Sequence, residues 1–83
     1  MKRVRFYIPS EITIQDKILN IRRRIRLTND LSLKMIRRFQ EIKNKDYKIY
    51  SESYNGEITI DKPLRSQGIL PGDIINVIPI HDV

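Results

Sequence analysis

The opening of the chain changes hydrophobic phase once, and that change constrains the fold more than any other feature. Val4, Phe6, Ile8, Ile12 and Ile14 all sit on even positions, interrupted only by Ser10. After Gln15, Asp16 and Lys17 the apolar residues move to odd positions, at Leu19, Ile21, Ile25 and Leu27. Alternation with period two marks a strand with one buried face, because successive side chains leave opposite sides of the backbone. Two stripes of opposite phase meet on one face when the chain reverses between them. The pattern therefore predicts a hairpin that turns near residues 15–17, with both stripes facing inward. Pro9 lacks a ladder donor and marks a bulge or a loosening of the first strand, so the arms are expected to pair along only part of their length.

The outward positions of this hairpin are charged. Arg3, Arg5, Tyr7 and Glu11 fall on one arm, and Arg22, Arg24 and Arg26 on the other. In an antiparallel pair these side chains share a face. Five arginines there are either a solvated surface that resists edge-to-edge aggregation or an anion-binding surface. Arg23 has inward parity, which predicts a carboxylate partner at the core margin or a side chain that snorkels outward.

From Asn29 to Lys45 the spacing becomes helical. Leu33, Met35, Ile36, Phe39 and Ile42 fall on one broad side; Lys34, Arg37, Arg38, Glu41 and Lys45 fall on the other. Asp30 or Ser32 is the expected N-cap. "YKIYSES" alternates again, "YNGE" reads as a turn around Asn-Gly, "ITI" begins another strand, and Ile74–Ile80 forms the last. One helix must then cover the single apolar face of a mixed sheet whose first and last strands are adjacent and parallel. That arrangement is an α+β β-grasp: four to five strands packed on one helix, with residues 1–83 as one domain.

Composition narrows the function classes. Sixteen isoleucines supply one compact core, and the absence of cysteine removes disulfides and thiolate metal sites. His81 is the lone histidine, the carboxylates are scattered, and three glycines form no phosphate-cradling loop. The expectation is therefore a protein that is not an enzyme and uses no cofactor or metal. No apolar run approaches the ~20 residues of a membrane-spanning helix. With no recognisable signal peptide, a soluble cytoplasmic protein is expected. The net charge of +6 favours anionic partners, whether nucleic acid, phospholipid headgroups or an acidic protein face.

The stretch "LRSQGILPGDIINV" carries a family resemblance. Leu64, Gly68, Ile69, Gly72, Asp73, Ile75 and Val77 fill the places of an LxxxGIxxGDxIxV pattern with which many ubiquitin-like domains end. Gly68 and Gly72 suit turns with positive φ, Pro71 pre-sets the second turn, and Asp73 is placed to bond local amides. With the element order, the resemblance spans most of the chain, apart from a first hairpin longer than ubiquitin's. Conjugated modifiers and sulfur carriers of the family use a C-terminal Gly-Gly, whereas this sequence ends Ile-His-Asp-Val. The resemblance thus implies the non-conjugated branch. That branch includes the YukD-like proteins linked to bacterial type VII secretion and the small ubiquitin-like subunit of multicomponent toluene monooxygenases.

Within that branch the expected role is an interaction module or accessory subunit that docks through the sheet face opposite the helix. By parity that face carries Tyr7, Lys48, Tyr50, Ile74, Asn76 and Ile78, with Arg3, Arg5, Arg22, Arg24 and Arg26 to one side. Ile74 and Ile78 flanked by tyrosines and rimmed by cations would make a small apolar patch for a protein partner. The alternative is nucleic-acid binding across the arginines, with Tyr7 or Tyr50 stacking on unpaired bases. A homodimer through the N-terminal hairpin is a further expectation if that hairpin projects beyond the sheet.

Overall fold

A computed structural model of the chain describes residues 10–41, 47–53 and 55–80. Five strands form one sheet in the order β2-β1-β5-β3-β4. They are β1 (Glu11–Asp16), β2 (Ile21–Arg26), β3 (Tyr47–Ser51), β4 (Gly56–Glu57) and β5 (Ile74–Pro79). A 3-10 turn (Leu33–Met35) and helix α1 (Arg37–Glu41) follow β2, and a second 3-10 turn (Arg65–Gln67) precedes β5. The fold is α+β with β-grasp topology: β1 and β2 form an antiparallel hairpin, and β1 lies parallel to β5 at the centre.

The register shows which side chains share a face. Ile12 pairs with Ile25 and Ile14 with Arg23 across the hairpin, while Ile14 pairs with Ile75 and Asp16 with Val77 across the central strands. Ile49 of β3 sits opposite Val77. These aliphatic residues form the floor of the core, and Leu33 and Phe39 come down on it, both fully or nearly fully buried. Loop residues Leu27, Leu31, Ile58, Leu64 and Ile69 close its margins.

The Leu64–Asp73 stretch folds as its residue types require. Gly68 and Gly72 have φ of 90° and 93°, in the left-handed region that side chains with a Cβ disfavour. Leu64 and Ile69 are completely buried. Asp73 Oδ1 accepts the N–H groups of Ser53 at 3.1 Å and Ile74 at 2.7 Å, while the Ser51 hydroxyl donates to Oδ2 at 2.6 Å. The aspartate thus ties the end of β3 to the start of β5.

Four sequence expectations are corrected. The hairpin reverses over Lys17–Asn20 rather than residues 15–17, because the Asp16 carboxylate accepts the N–H groups of Ile18 and Leu19 at 3.0 Å each. Asn20 supplies the left-handed residue, with φ of 60°. Leu19 and Ile21 consequently lie at the hairpin tip, 49% and 46% exposed, instead of in the core. Met35 is exposed too. Ile36 is extended (φ −94°, ψ 130°), so it separates the 3-10 turn from α1 and breaks the helical phase that would have turned Met35 inward. Of the two candidate caps, Ser32 immediately precedes the 3-10 turn, whereas Asp30 accepts a hydrogen bond from the Thr28 hydroxyl at 3.0 Å. Finally, β4 is confined to Gly56–Glu57, with Asn55 left-handed at φ 55° before it, and the "ITI" segment expected to begin a strand follows it outside the strand.

Candidate docking face

The helix covers one side of the sheet, and the ladder pairings place a second set of residues on the other. Across β2 and β1 these are Arg22 opposite Gln15, Arg24 opposite Thr13, and Arg26 opposite Glu11. On the same side, Thr13 pairs with Ile74 and Gln15 with Asn76, then Ile78 with Lys48 and Asn76 with Tyr50. Tyr50 in turn faces Glu57 on β4. The fold therefore brings Lys48, Tyr50, Ile74, Asn76 and Ile78 together on one face, with Arg22, Arg24 and Arg26 along its β2 edge. Tyr7, Arg3 and Arg5 lie outside the described residues, as does the first hairpin's extension before Ser10.

These positions differ in availability. Lys48 is exposed, and Tyr50, Ile74 and Ile78 are half-buried. Asn76 is only 1% exposed, which corrects its expected place in a contact patch. It sits mid-strand between the half-buried Gln15 and Tyr50, and its Nδ2 donates to Glu52 Oε2 at 3.0 Å. Its Oδ1 is buried with no hydrogen-bond partner. Asn76 is thus a covered central residue between two isoleucines. Beside it, Lys48, Tyr50, Asn55, Glu57 and Ile78 line an open depression of 420 Å³. Ile78 and Tyr50 supply its apolar surface, while Lys48 and Glu57 place opposite charges on its rim. Asn55 and Glu57 belong to the "YNGE" turn that the sequence marks, but no local pattern points to them as lining residues.

The arginines stand apart from this depression. Arg22, Arg23, Arg24 and Arg26 are exposed, and among the described residues none of them has an ion-pair or side-chain hydrogen-bond partner. Arg23 opposes Ile14 on the helix side, so its inward parity holds while its side chain reaches solvent. By contrast, Arg38 of α1 donates from Nε to Asp16 Oδ2 at 2.6 Å. Burial raises the cost of ionising Asp16. The Arg38 hydrogen bond and charge, with the Leu19 and Ile18 amides, more than offset this and hold its carboxyl below the ordinary aspartate value.

Among the described residues no cluster of three or more His, Cys, Asp or Glu is placed to hold a metal ion. No helix there is long and apolar enough to cross a membrane. No protein-family model, curated protein or solved structure matches the chain.

Proposed function

We propose that this chain is a non-conjugated ubiquitin-like interaction module, an accessory subunit that binds a protein partner non-covalently on the uncovered sheet face. The observation that carries this reading is the depression formed by Lys48, Tyr50, Asn55, Glu57 and Ile78, with Ile74 further along the same strand. An apolar side chain of the partner would enter against Ile78 and Tyr50, while Lys48 and Glu57 orient the flanking polar groups. A partly apolar centre rimmed by charge is the usual anatomy of a contact site. The resemblance to ubiquitin-like domains without a terminal Gly-Gly suggests as setting either a secretion-type assembly, as for YukD-like proteins, or a multicomponent monooxygenase.

Nucleic-acid binding remains the second reading because Arg22, Arg24 and Arg26 form an unpaired row on the same face. Tyr50 supports it poorly as a stacking platform. It lies on β3, three strands from β2, roughly 14 Å away at the usual strand spacing.

Affinity capture from the protein's own cells tests the first reading, comparing wild type with an Ile74→Ser/Ile78→Ser variant and with Leu70→Ser as an exposed control. A partner retained by wild type and the control but lost from the double variant is expected. Equal capture by all three removes this face as the docking site.

A further inference from the structure

The described residues include six large, well-exposed hydrophobics, and four of them gather at one end of the sheet. Ile18, Leu19 and Ile21 form the β1–β2 hairpin tip, 43%, 49% and 46% exposed, and Ile80 is 52% exposed. β5 runs parallel to β1 with Val77 opposite Asp16, so Ile80 emerges beyond β5 at the end where the hairpin turns. Ile18, Leu19 and Ile21 belong to the run "KILNI", bracketed by Lys17 and by Arg22–Arg24.

Among the described residues, the exposed charges in the tip half of the hairpin have one sign. Lys17, Arg22, Arg23 and Arg24 are all exposed and have no ion-pair partner among the described residues. The carboxylate in the tip half of the hairpin is Asp16, 5% exposed and neutralised by Arg38. A depression of 250 Å³ just behind the tip is lined by Gln15, Asp16, Lys17, Asn20, Ile21 and Arg22. Its rim therefore offers two free cations and two side-chain amides.

We propose that this end of the sheet docks on an anionic phospholipid surface, with the apolar tip entering the headgroup–acyl boundary and the surrounding cations contacting lipid phosphates. Two features of the chain favour a bilayer over a folded partner. The turn of a hairpin is convex, and a convex apolar tip needs a yielding medium or a dedicated socket; a bilayer provides the former to any such tip. Spacing also fits. Arg22 and Arg24 follow Ile21 by one and three residues, about 3 and 10 Å along the strand. Apolar elements of interfacial proteins sink about 5–10 Å into this boundary, which leaves the arginines at headgroup depth. The tip is preorganised for insertion because Asp16 holds the Ile18 and Leu19 amides and Arg38 fixes Asp16.

This surface is separate from the depression on β3–β5, so the two proposals fail independently. The test uses the whole chain with vesicles of phosphatidylcholine alone or mixed with phosphatidylserine. Sedimentation should recover the protein with the mixed vesicles only. Ile18→Ser/Leu19→Ser should weaken binding about tenfold or more, from the lost apolar burial. Arg22→Gln and Arg24→Gln should each weaken it about fivefold, one surface charge apiece. Tyr50→Ala and Ile78→Ser should leave it unchanged. The chain contains no tryptophan, so Leu19→Trp gives a clean reporter whose emission should shift to the blue on the mixed vesicles. Absence of binding, equal binding to both vesicle types, or serine variants that bind like wild type would overturn the proposal. So would vesicle-independent capture of a single-stranded oligonucleotide that needs the arginines and ignores the tip.

Discussion

Arg38 on α1 and Asp16 at the end of β1 are joined by a 2.6 Å charge-assisted hydrogen bond, across 22 positions of sequence. The same carboxylate accepts the Ile18 and Leu19 amides of the hairpin turn. One side chain thus sets where the hairpin reverses and fastens that reversal to the helix.

Breaking this junction should destabilise the fold. Asp16→Ala removes a charge-assisted contact and two amide bonds, and a loss of about 2–3 kcal/mol is expected in chemical denaturation. Arg38→Ala should cost a similar amount. The double variant should be less destabilised than the sum of the two, because the second substitution removes a group already without its partner. Additive losses would show that the two side chains do not couple.

The same junction gives a pH dependence. The carboxyl of Asp16 titrates lower in the folded chain than in the unfolded chain, so its contribution is fully present above the ordinary aspartate value of about 3.9. It is lost as pH falls through the lower, folded value. The stability gap between wild type and Asp16→Ala should therefore be constant near neutrality and close in acid. A gap that widens on acidification would contradict the assignment.

Asp73 is 4% exposed and accepts three hydrogen bonds from two segments of chain. Asp73→Ala should cost about 3 kcal/mol, more than Ser51→Ala at about 1 kcal/mol, because it leaves two amides without their acceptor. Paired denaturation curves of the two variants check the ordering.

Gly72 separates backbone conformation from crowding. A Cβ there would meet nothing within 4 Å, yet φ is 93°. Gly72→Ala should lower stability by about 1–2 kcal/mol through the left-handed backbone alone. Thermal melts showing no loss would mean that the turn relaxes freely.

Asn76 should be a place where a less polar residue improves the fold. Its Oδ1 is buried without a partner, and its bonded neighbour Glu52 is exposed and free to hydrate. Asn76→Leu, close in shape, should raise stability by about 1 kcal/mol. A fall in the denaturation midpoint would instead show that the Glu52 bond outweighs the orphaned carbonyl.

Much of the sheet was legible because strand parity is a local property. The alternation over Ile12–Ile14 and Ile75–Val77 assigned those residues to the core, and the phase change announced a hairpin. The positive φ of Gly68 and Gly72 and the amide contacts of Asp73 followed from residue chemistry at fixed spacing. The candidate face was legible in the same way, since parity alone put Lys48, Tyr50, Ile74 and Ile78 opposite the helix. Parity carried no information about cover, so Asn76 read as a contact residue when its neighbours in fact bury it. It also read Leu19 and Ile21 as core, although they lie past the layer that shields Ile12 and Ile14.

What the residues determined by themselves was therefore direction: which way each side chain leaves its strand, and which turns require glycine. Depth was decided by the tertiary structure. Burial depends on what distant segments lie above a position, and the Asp16–Arg38 contact that sets the hairpin tip joins residues no local pattern connects. The same limit hid the apolar end of the sheet, which exists only because β5 runs parallel to β1 and brings Ile80 to the end where the hairpin turns.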